Sequence, residues 1–269
     1  MADKSADKTV EETAVETVQI HREGRVARLT IGRPPLNILD IPTLQSLGDA
    51  VASLARPDDD LQVVVLQGAG ERAFSAGVSV QDHTPDKVGA MLESFHGALR
   101  ILRDLPAVTI AAVHGHCLGG GMELALCCDL VVATEDARFG QPEVELGCYP
   151  PVAAALYPSL IGAGKTLDLL LTGRTLDCQE AERLGLVTRR VPVGWLGAAV
   201  QELVSEITAR SAPVTRLIKT AVRAGRDLGF SAGLTDAERL YLDELCRTED
   251  MQEGLAAFLE KRRPVWRHR

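Results

Sequence analysis

The sequence predicts an α/β fold with a helical region towards its C-terminal end, on three observations. Apolar runs rich in β-branched residues, Gln62 to Leu66, Val108 to Val113 and Leu130 to Ala133, have the length and character of strands, the first of them buried on both faces. Amphipathic helical stretches separate and follow these runs. A chain of 269 residues can bury a sizeable core and is not too long for one main α/β domain.

Taken in order, residues 1–16 read as a disordered, mildly acidic leader, because charges stand where a signal peptide needs an apolar core. Thr17 to Arg22 and Val26 to Ile31 alternate apolar and polar residues around Glu23-Gly24, a hairpin signal. Arg33 to Asn37 is a loop, Asp40-Ile41-Pro42 opens a helix to about Ala55, and Pro57-Asp58-Asp59-Asp60 breaks the chain. From Pro85 onward Val88, Met91, Leu92, Phe95, Leu99 and Leu102 recur at helical spacing. Asp177 to Glu180 resembles a capping box, and Gly185 ends the helix it starts. Val200 to Ile207, Val214 to Val222 and Leu234 to Leu245 read as further helices. The expected division is therefore a core over 17–195 and a helical region over 196–269.

The chain is organised around Ala112 to Pro151. The strand ending at Val113 is followed by a turn and by three consecutive glycines, Gly119 to Gly121, at the start of a helix. Propensity does not account for them, since each costs roughly 1 kcal/mol relative to alanine inside a helix. They leave bare backbone N–H groups at the positive end of a helix, donors for an anion or a developing oxyanion. Glu123 falls in the first turn, beside those donors. Gln141-Pro142-Glu143 follows twenty residues after it, and a strand returning beside the first lets Glu143 face Glu123 across a pocket. Two carboxyl groups near one bound molecule supply the acid and the base for proton transfer at carbon.

These residues resemble the enoyl-CoA hydratase/isomerase (crotonase) superfamily. The likeness rests on the triple glycine, Glu123 and the Pro142-Glu143 pair, and extends to Phe74-Ser75-Ala76-Gly77-Val78, to Thr172 through Val187, and to Phe258-Leu259-Glu260-Lys261-Arg262. It implies a crotonase fold, with a ββα core in two sheet layers and a C-terminal helical region. It also implies an oxyanion hole made of the Val78 and Gly120 N–H groups, with Glu123 activating water and Glu143 protonating carbon. By the same resemblance Ala76 and Gly77 border the coenzyme A site, and His83 is a contact for the acyl group. Phe258 and Lys261 reach the coenzyme A of a neighbouring subunit in a homotrimer or homohexamer. The substrate is then an acyl-CoA thioester, with coenzyme A as part of it and no separate cofactor.

Where common members carry a glycine-rich run after Pro-Glu, this chain has Leu146-Gly147-Cys148-Tyr149-Pro150-Pro151-Val152-Ala153-Ala154. The prolines stiffen the backbone there, and Tyr149 should border the acyl end of the site. Together with Pro34-Pro35-Leu36-Asn37 and Asp82-His83, this segment resembles the subgroup of cyclohexa-1,5-diene-1-carbonyl-CoA hydratases. Pro35 occupies a position where the family often has a basic residue for coenzyme A.

Composition narrows the alternatives. With 29 basic and 37 acidic residues the formal charge is −8, which disfavours nucleic acid as a partner. There is no run of 18 apolar residues, so no membrane partner is expected, and the chain reads as cytoplasmic. The cysteines, Cys117, Cys127, Cys128, Cys148, Cys178 and Cys246, lack metal-ligand spacing and read as free thiols, with Cys117 and Cys148 near the pocket. Glu145, His114 and His116 are expected to be structural. The rival readings are a double-bond isomerase, which needs one carboxylate and no bound water, and a non-catalytic acyl-CoA or RNA-binding member.

Overall fold

The computed structural model describes residues 17–55 and 60–269. The leader and the Pro57-Asp58-Asp59 break lie outside them. Strands β1 (Val18–Glu23) and β2 (Val26–Ile31) form the expected hairpin, followed by α1 (Ile41–Ser53), β3 (Val63–Gly68), β4 (Ala73–Ser75) and α2 (Val88–Asp104). The central stretch supplies β5 (Val108–Val113), β6 (His116–Leu118), α3 (Gly120–Cys127), β7 (Leu130–Thr134) and β8 (Arg138–Gly140). Then come α4 (Pro151–Ile161), α5 (Ala163–Thr172), β9 (Thr175–Asp177), α6 (Cys178–Arg183) and β10 (Arg189–Val191). Helices α7 (Leu196–Thr208), α8 (Ala212–Leu228), α9 (Phe230–Asp243) and α10 (Glu249–Leu259) end the chain.

Two sheets result. The larger runs β1-β2-β3-β5-β7-β10 and is parallel after its first hairpin; the smaller runs β4-β6-β8-β9. The period of two along β3, β5 and β7 explains why their sequences are apolar throughout. Val64, Leu66, Ala111, Val113, Val131 and Ala133 join the main core with α1, α2 and α3, whereas Val63, Val65, Ile110, Ala112 and Val132 pack against Val200, Leu203 and Val204 of α7. Both faces are covered, as the β-branched runs predict.

Helix α8 is held to this framework by a largely buried charge cluster. Asp129, in the turn between α3 and β7, accepts from the Thr109 N–H (2.8 Å) and hydroxyl (2.9 Å), from Lys219 Nζ (2.8 Å) and from Arg223 (2.7 Å). Lys219 also donates to the Ala107 carbonyl at 2.7 Å. Burial pushes the Lys219 ammonium below its ordinary pKa, and Asp129 opposes that shift.

The charges of the C-terminal segment, Lys261, Arg262, Arg263, Arg267 and Arg269, read as a solvated end, and all five side chains are exposed. Its backbone is docked: buried Asp250 accepts from the N–H groups of Arg267 (2.6 Å) and His268 (3.0 Å), and Trp266 Nε1 donates to Ala209 O at 3.0 Å. An anionic side chain in the first turn of α10 thus binds the returning chain.

Candidate active site

The triple glycine lies where three segments converge. A side-chain carbon on Gly121 would stand 2.4 Å from the Ser75 carbonyl oxygen, and one on Gly120 would stand 2.7 Å from the Val78 side chain. Gly119 takes a positive φ of 51°, and a Cβ there would lie 2.7 Å from Glu143 Oε1. The glycines therefore do more than bare the first amides of α3. They let the Phe74–Val78 segment and Glu143 close on the helix start.

Asn37 shapes the other side. Its amide nitrogen donates to the carbonyls of Ala69 (2.9 Å) and Ala73 (2.8 Å), and its own carbonyl accepts from the Ser75 hydroxyl at 2.7 Å. Leu39 N–H then bonds Gly77 O (3.0 Å), and Ser79 N–H bonds Leu39 O (3.0 Å). This bridge uses the residues on either side of Val78. The N–H of Val78 faces away from it and, like that of Gly120, donates to nothing among the described residues. The loop containing Asn37 thus braces the hole segment, a role its sequence does not announce.

Glu123 is 3% exposed, and its Oε1 accepts from the Ala153 N–H at 2.8 Å. Burial raises its pKa from 4.5 to about 7; the Ala153 amide opposes the rise and the Glu143 charge adds to it. The Ala153 donor exists because Pro150-Pro151 starts α4. Proline at the first helical position has its φ preset and no N–H to lose, so the segment that the sequence suggests is a stiff pocket floor is a helix N-terminus presenting amides to Glu123.

Glu143 lies on a 3₁₀ turn, Pro142–Leu146, rather than on a returning strand. β7 does return beside β5, but β8 ends at Gly140, and Pro142 has no N–H with which to extend a ladder. The turn directs Glu145 out of the cleft, where its carboxylate is exposed. Buried Gln141 accepts from the Tyr157 hydroxyl at 2.5 Å and, in that amide orientation, donates to both Glu143 oxygens at 3.0 and 3.2 Å. Burial raises the Glu143 pKa, while its own backbone N–H and nearby His83 oppose the rise.

A cleft of about 400 Å³ gathers these groups. Ala76, Gly77, Val78, His83, Gly120, Glu123, Glu143 and Tyr149 all line it, with Val88, Met91, Leu92 and Phe95 of α2 as apolar wall. His83 Nδ1 is anchored 2.9 Å from Ser79 O, and Tyr149, 70% exposed, stands at the rim. Cys148 lines the cleft, but Cys117 is buried outside it, where desolvation pushes its thiol well above the ordinary range. His114 and His116 are also outside. Phe258 lies on the exposed end of α10 and Lys261 in the exposed turn just after it, and neither lines the cleft of its own chain. Sequence reasoning missed Asn37, Gln141, Tyr157 and Ala153, of which only the Gln141-Pro142-Glu143 string carried a local signal.

The arrangement offers two carboxyl groups of raised pKa, two unused amide donors and an apolar wall at one concave site. Known proteins match this chain along nearly its whole length. The family described as enoyl-CoA hydratase/isomerase matches residues 21–269. The cyclohexa-1,5-dienecarbonyl-CoA hydratase of Thauera aromatica is 38% identical over 94% of this chain and 96% of its own. A probable enoyl-CoA hydratase of Mycobacterium bovis is 37% identical over 94% and 99%. The crystal structure of an enoyl-CoA hydratase from Bacillus anthracis superposes with a TM-score of 0.87 at 31% identity, covering 94% of this chain and all of that one. In fold and in sequence, this chain belongs to the enoyl-CoA hydratase/isomerase family, whose hydratases are hydro-lyases.

Proposed function

We propose that the protein adds water across the conjugated double bond of an enoyl- or dienoyl-CoA thioester. The observation that carries this reading is the convergence of Glu123 and Glu143 on a cleft with the unused Val78 and Gly120 amides. The thioester oxygen accepts from both amides, which stabilise the enolate-like charge that develops as water adds, by about 3–4 kcal/mol per donor. Ionised Glu123 takes a proton from water as the oxygen bonds to the β-carbon. Protonated Glu143 delivers a proton to the α-carbon, so that H and OH are added and the carboxyl groups exchange roles. Loss of the conjugated thioester absorbance tests this, with ¹⁸O from labelled water appearing in the product. Migration of the double bond without ¹⁸O uptake would instead establish the isomerase reading.

For the acyl group we propose a flat, ring-sized conjugated unit such as cyclohexa-1,5-diene-1-carbonyl-CoA. The Thauera relative supports it, and so does the site's edge, where Pro150 and Pro151 fix backbone angles that glycines would leave free. The expected result is a higher kcat/KM for the cyclic diene than for crotonyl-CoA, and a decline from four- to ten-carbon straight chains. Best activity on the ten-carbon chain, with the ring compound inert, would refute it.

A homo-oligomer, trimeric or hexameric, is proposed on the large apolar side chains that the C-terminal helices leave exposed, among them Val222, Phe230, Leu242, Phe258 and Leu259. In that assembly Phe258 and Lys261 would meet the coenzyme A of a neighbour. Lys261→Ala should then raise KM in a salt-sensitive way with kcat nearly constant. An unchanged KM at low salt would remove that contact. A cytoplasmic location fits the free thiols, and no helix among the described residues is long and apolar enough to cross a membrane.

A further inference from the structure

Beyond the two glutamates the cleft shares a wall with a second cavity. His96 of α2 lines the cleft, and the same ring, with Pro151, also lines the second cavity, of about 340 Å³, formed with Leu99, Arg100, Cys127, Val152 and Leu156. The His96 Nε2 atom is buried and has no hydrogen-bond partner among the described residues. A buried polar atom left in that state costs on the order of 1–3 kcal/mol, which a polar group of a ligand would relieve once the ring turns Nε2 to face the cavity.

Arg100 is four residues further along α2, so it shares a helix face with His96. It makes no ion pair among the described residues, in contrast to Arg103 in the same wall, which is paired with Asp227 at 2.5 Å. The rest of the lining is apolar. Burial and then the Arg100 charge lower the His96 pKa, which favours the neutral imidazole as a hydrogen-bonding group beside a cation.

The direction is set by α2. Phe95 sits at the oxyanion-hole end, 3.3 Å from where a Cβ on Gly120 would be. Five residues of helix carry the chain roughly 7.5 Å from Phe95 to Arg100, a span that a short acyl chain covers. We infer that the second cavity is a distal acyl subsite for enoyl-CoA thioesters whose far end carries a carboxylate, with Arg100 as its ion-pair partner and His96 as its hydrogen-bond partner. This rests on the enoyl-CoA reading of the site and names a substrate class for it. A guanidinium suits the assignment because its planar donors match a carboxylate at two points.

The test compares two six-carbon trans-2-enoyl-CoA thioesters, one ending in a methyl group and one in a carboxylate, with crotonyl-CoA as the control for hydration itself. The native protein should prefer the carboxylate-ended compound at least tenfold in kcat/KM. Arg100→Met should reduce that preference at least tenfold, chiefly through KM, and His96→Leu should reduce it less. Binding of the corresponding saturated thioesters, measured by calorimetry with the native protein and Arg100→Met, reads the subsite without turnover. Equal affinity for the two saturated compounds, or a preference untouched by Arg100→Met, overturns the subsite. Failure to hydrate crotonyl-CoA and both six-carbon thioesters, with a carboxylate preference kept in binding, would instead count against the hydratase reading.

Discussion

Glu123→Gln should lower turnover at least a hundredfold and at the same time make the folded protein more stable at pH 8. The loss follows from removing a proton-transfer group while keeping nearly the same volume. The gain follows from linkage. Glu123 keeps its proton to about pH 7 in the folded chain, against 4.5 when unfolded. Between those values the folded state binds the extra proton, so this residue's contribution to stability falls as the pH rises through the window. Below about pH 4.5 it costs nothing in this respect; above about pH 7 the full cost, about 3 kcal/mol, is present. A glutamine has no such charge and still offers an oxygen to the Ala153 N–H. Thermal unfolding of the two proteins should therefore diverge from pH 5 to pH 8, with the variant higher at the alkaline end. Parallel curves would show that Glu123 is not held protonated by burial. In the native enzyme kcat/KM should rise towards pH 7 as Glu123 becomes the ionised base.

Asp129→Ala should destabilise the fold by about 3–5 kcal/mol, the usual effect of removing one member of a buried ion cluster and leaving its partners uncompensated. The substitution leaves Lys219, Arg223 and the Thr109 N–H and hydroxyl without their shared acceptor. Asp129→Asn, which retains one acceptor oxygen for Thr109, should cost less. Urea unfolding followed by circular dichroism measures both. A change below 1 kcal/mol for the alanine variant would mean that α8 is held by apolar contacts alone.

The elements whose signals are local were legible in the sequence. The hairpin around Gly24, the apolar runs of β3, β5 and β7, the periodic residues of α2 and the Asp177 cap all form where their patterns indicate. The glycine start of α3 with Glu123 was legible because turn, glycines and carboxylate are contiguous. The supports of the site were not, since they meet only through the fold. Asn37 reaches Ser75 across 38 positions, Ala153 reaches Glu123 across 30, and Tyr157 reaches Gln141 across 16. Pro150-Pro151 misled because a proline pair suggests a rigid loop, although the following Val-Ala-Ala-Ala-Leu run is compatible with proline at a helix start. Glu143 stands on a 3₁₀ turn and not on the expected strand because Pro142, with no N–H for a ladder, starts that turn.

The Ala153 amide joins two properties that enzyme engineers usually vary separately. It belongs to the first turn of α4, whose Pro150 and Pro151 border the acyl cleft, and it also donates to the carboxyl group whose ionisation sets the acidic limb of proton transfer. Any change that widens the cleft by shifting this turn lengthens that donor's reach, weakens its hold on the ionised form of Glu123 and moves the carboxyl's proton affinity upward. Variants selected for bulkier acyl groups at Pro150 or Pro151 should thus work best at a more alkaline pH than the parent. Selectivity and pH optimum would drift together along this chain's mutational paths, because one backbone hydrogen sits on both.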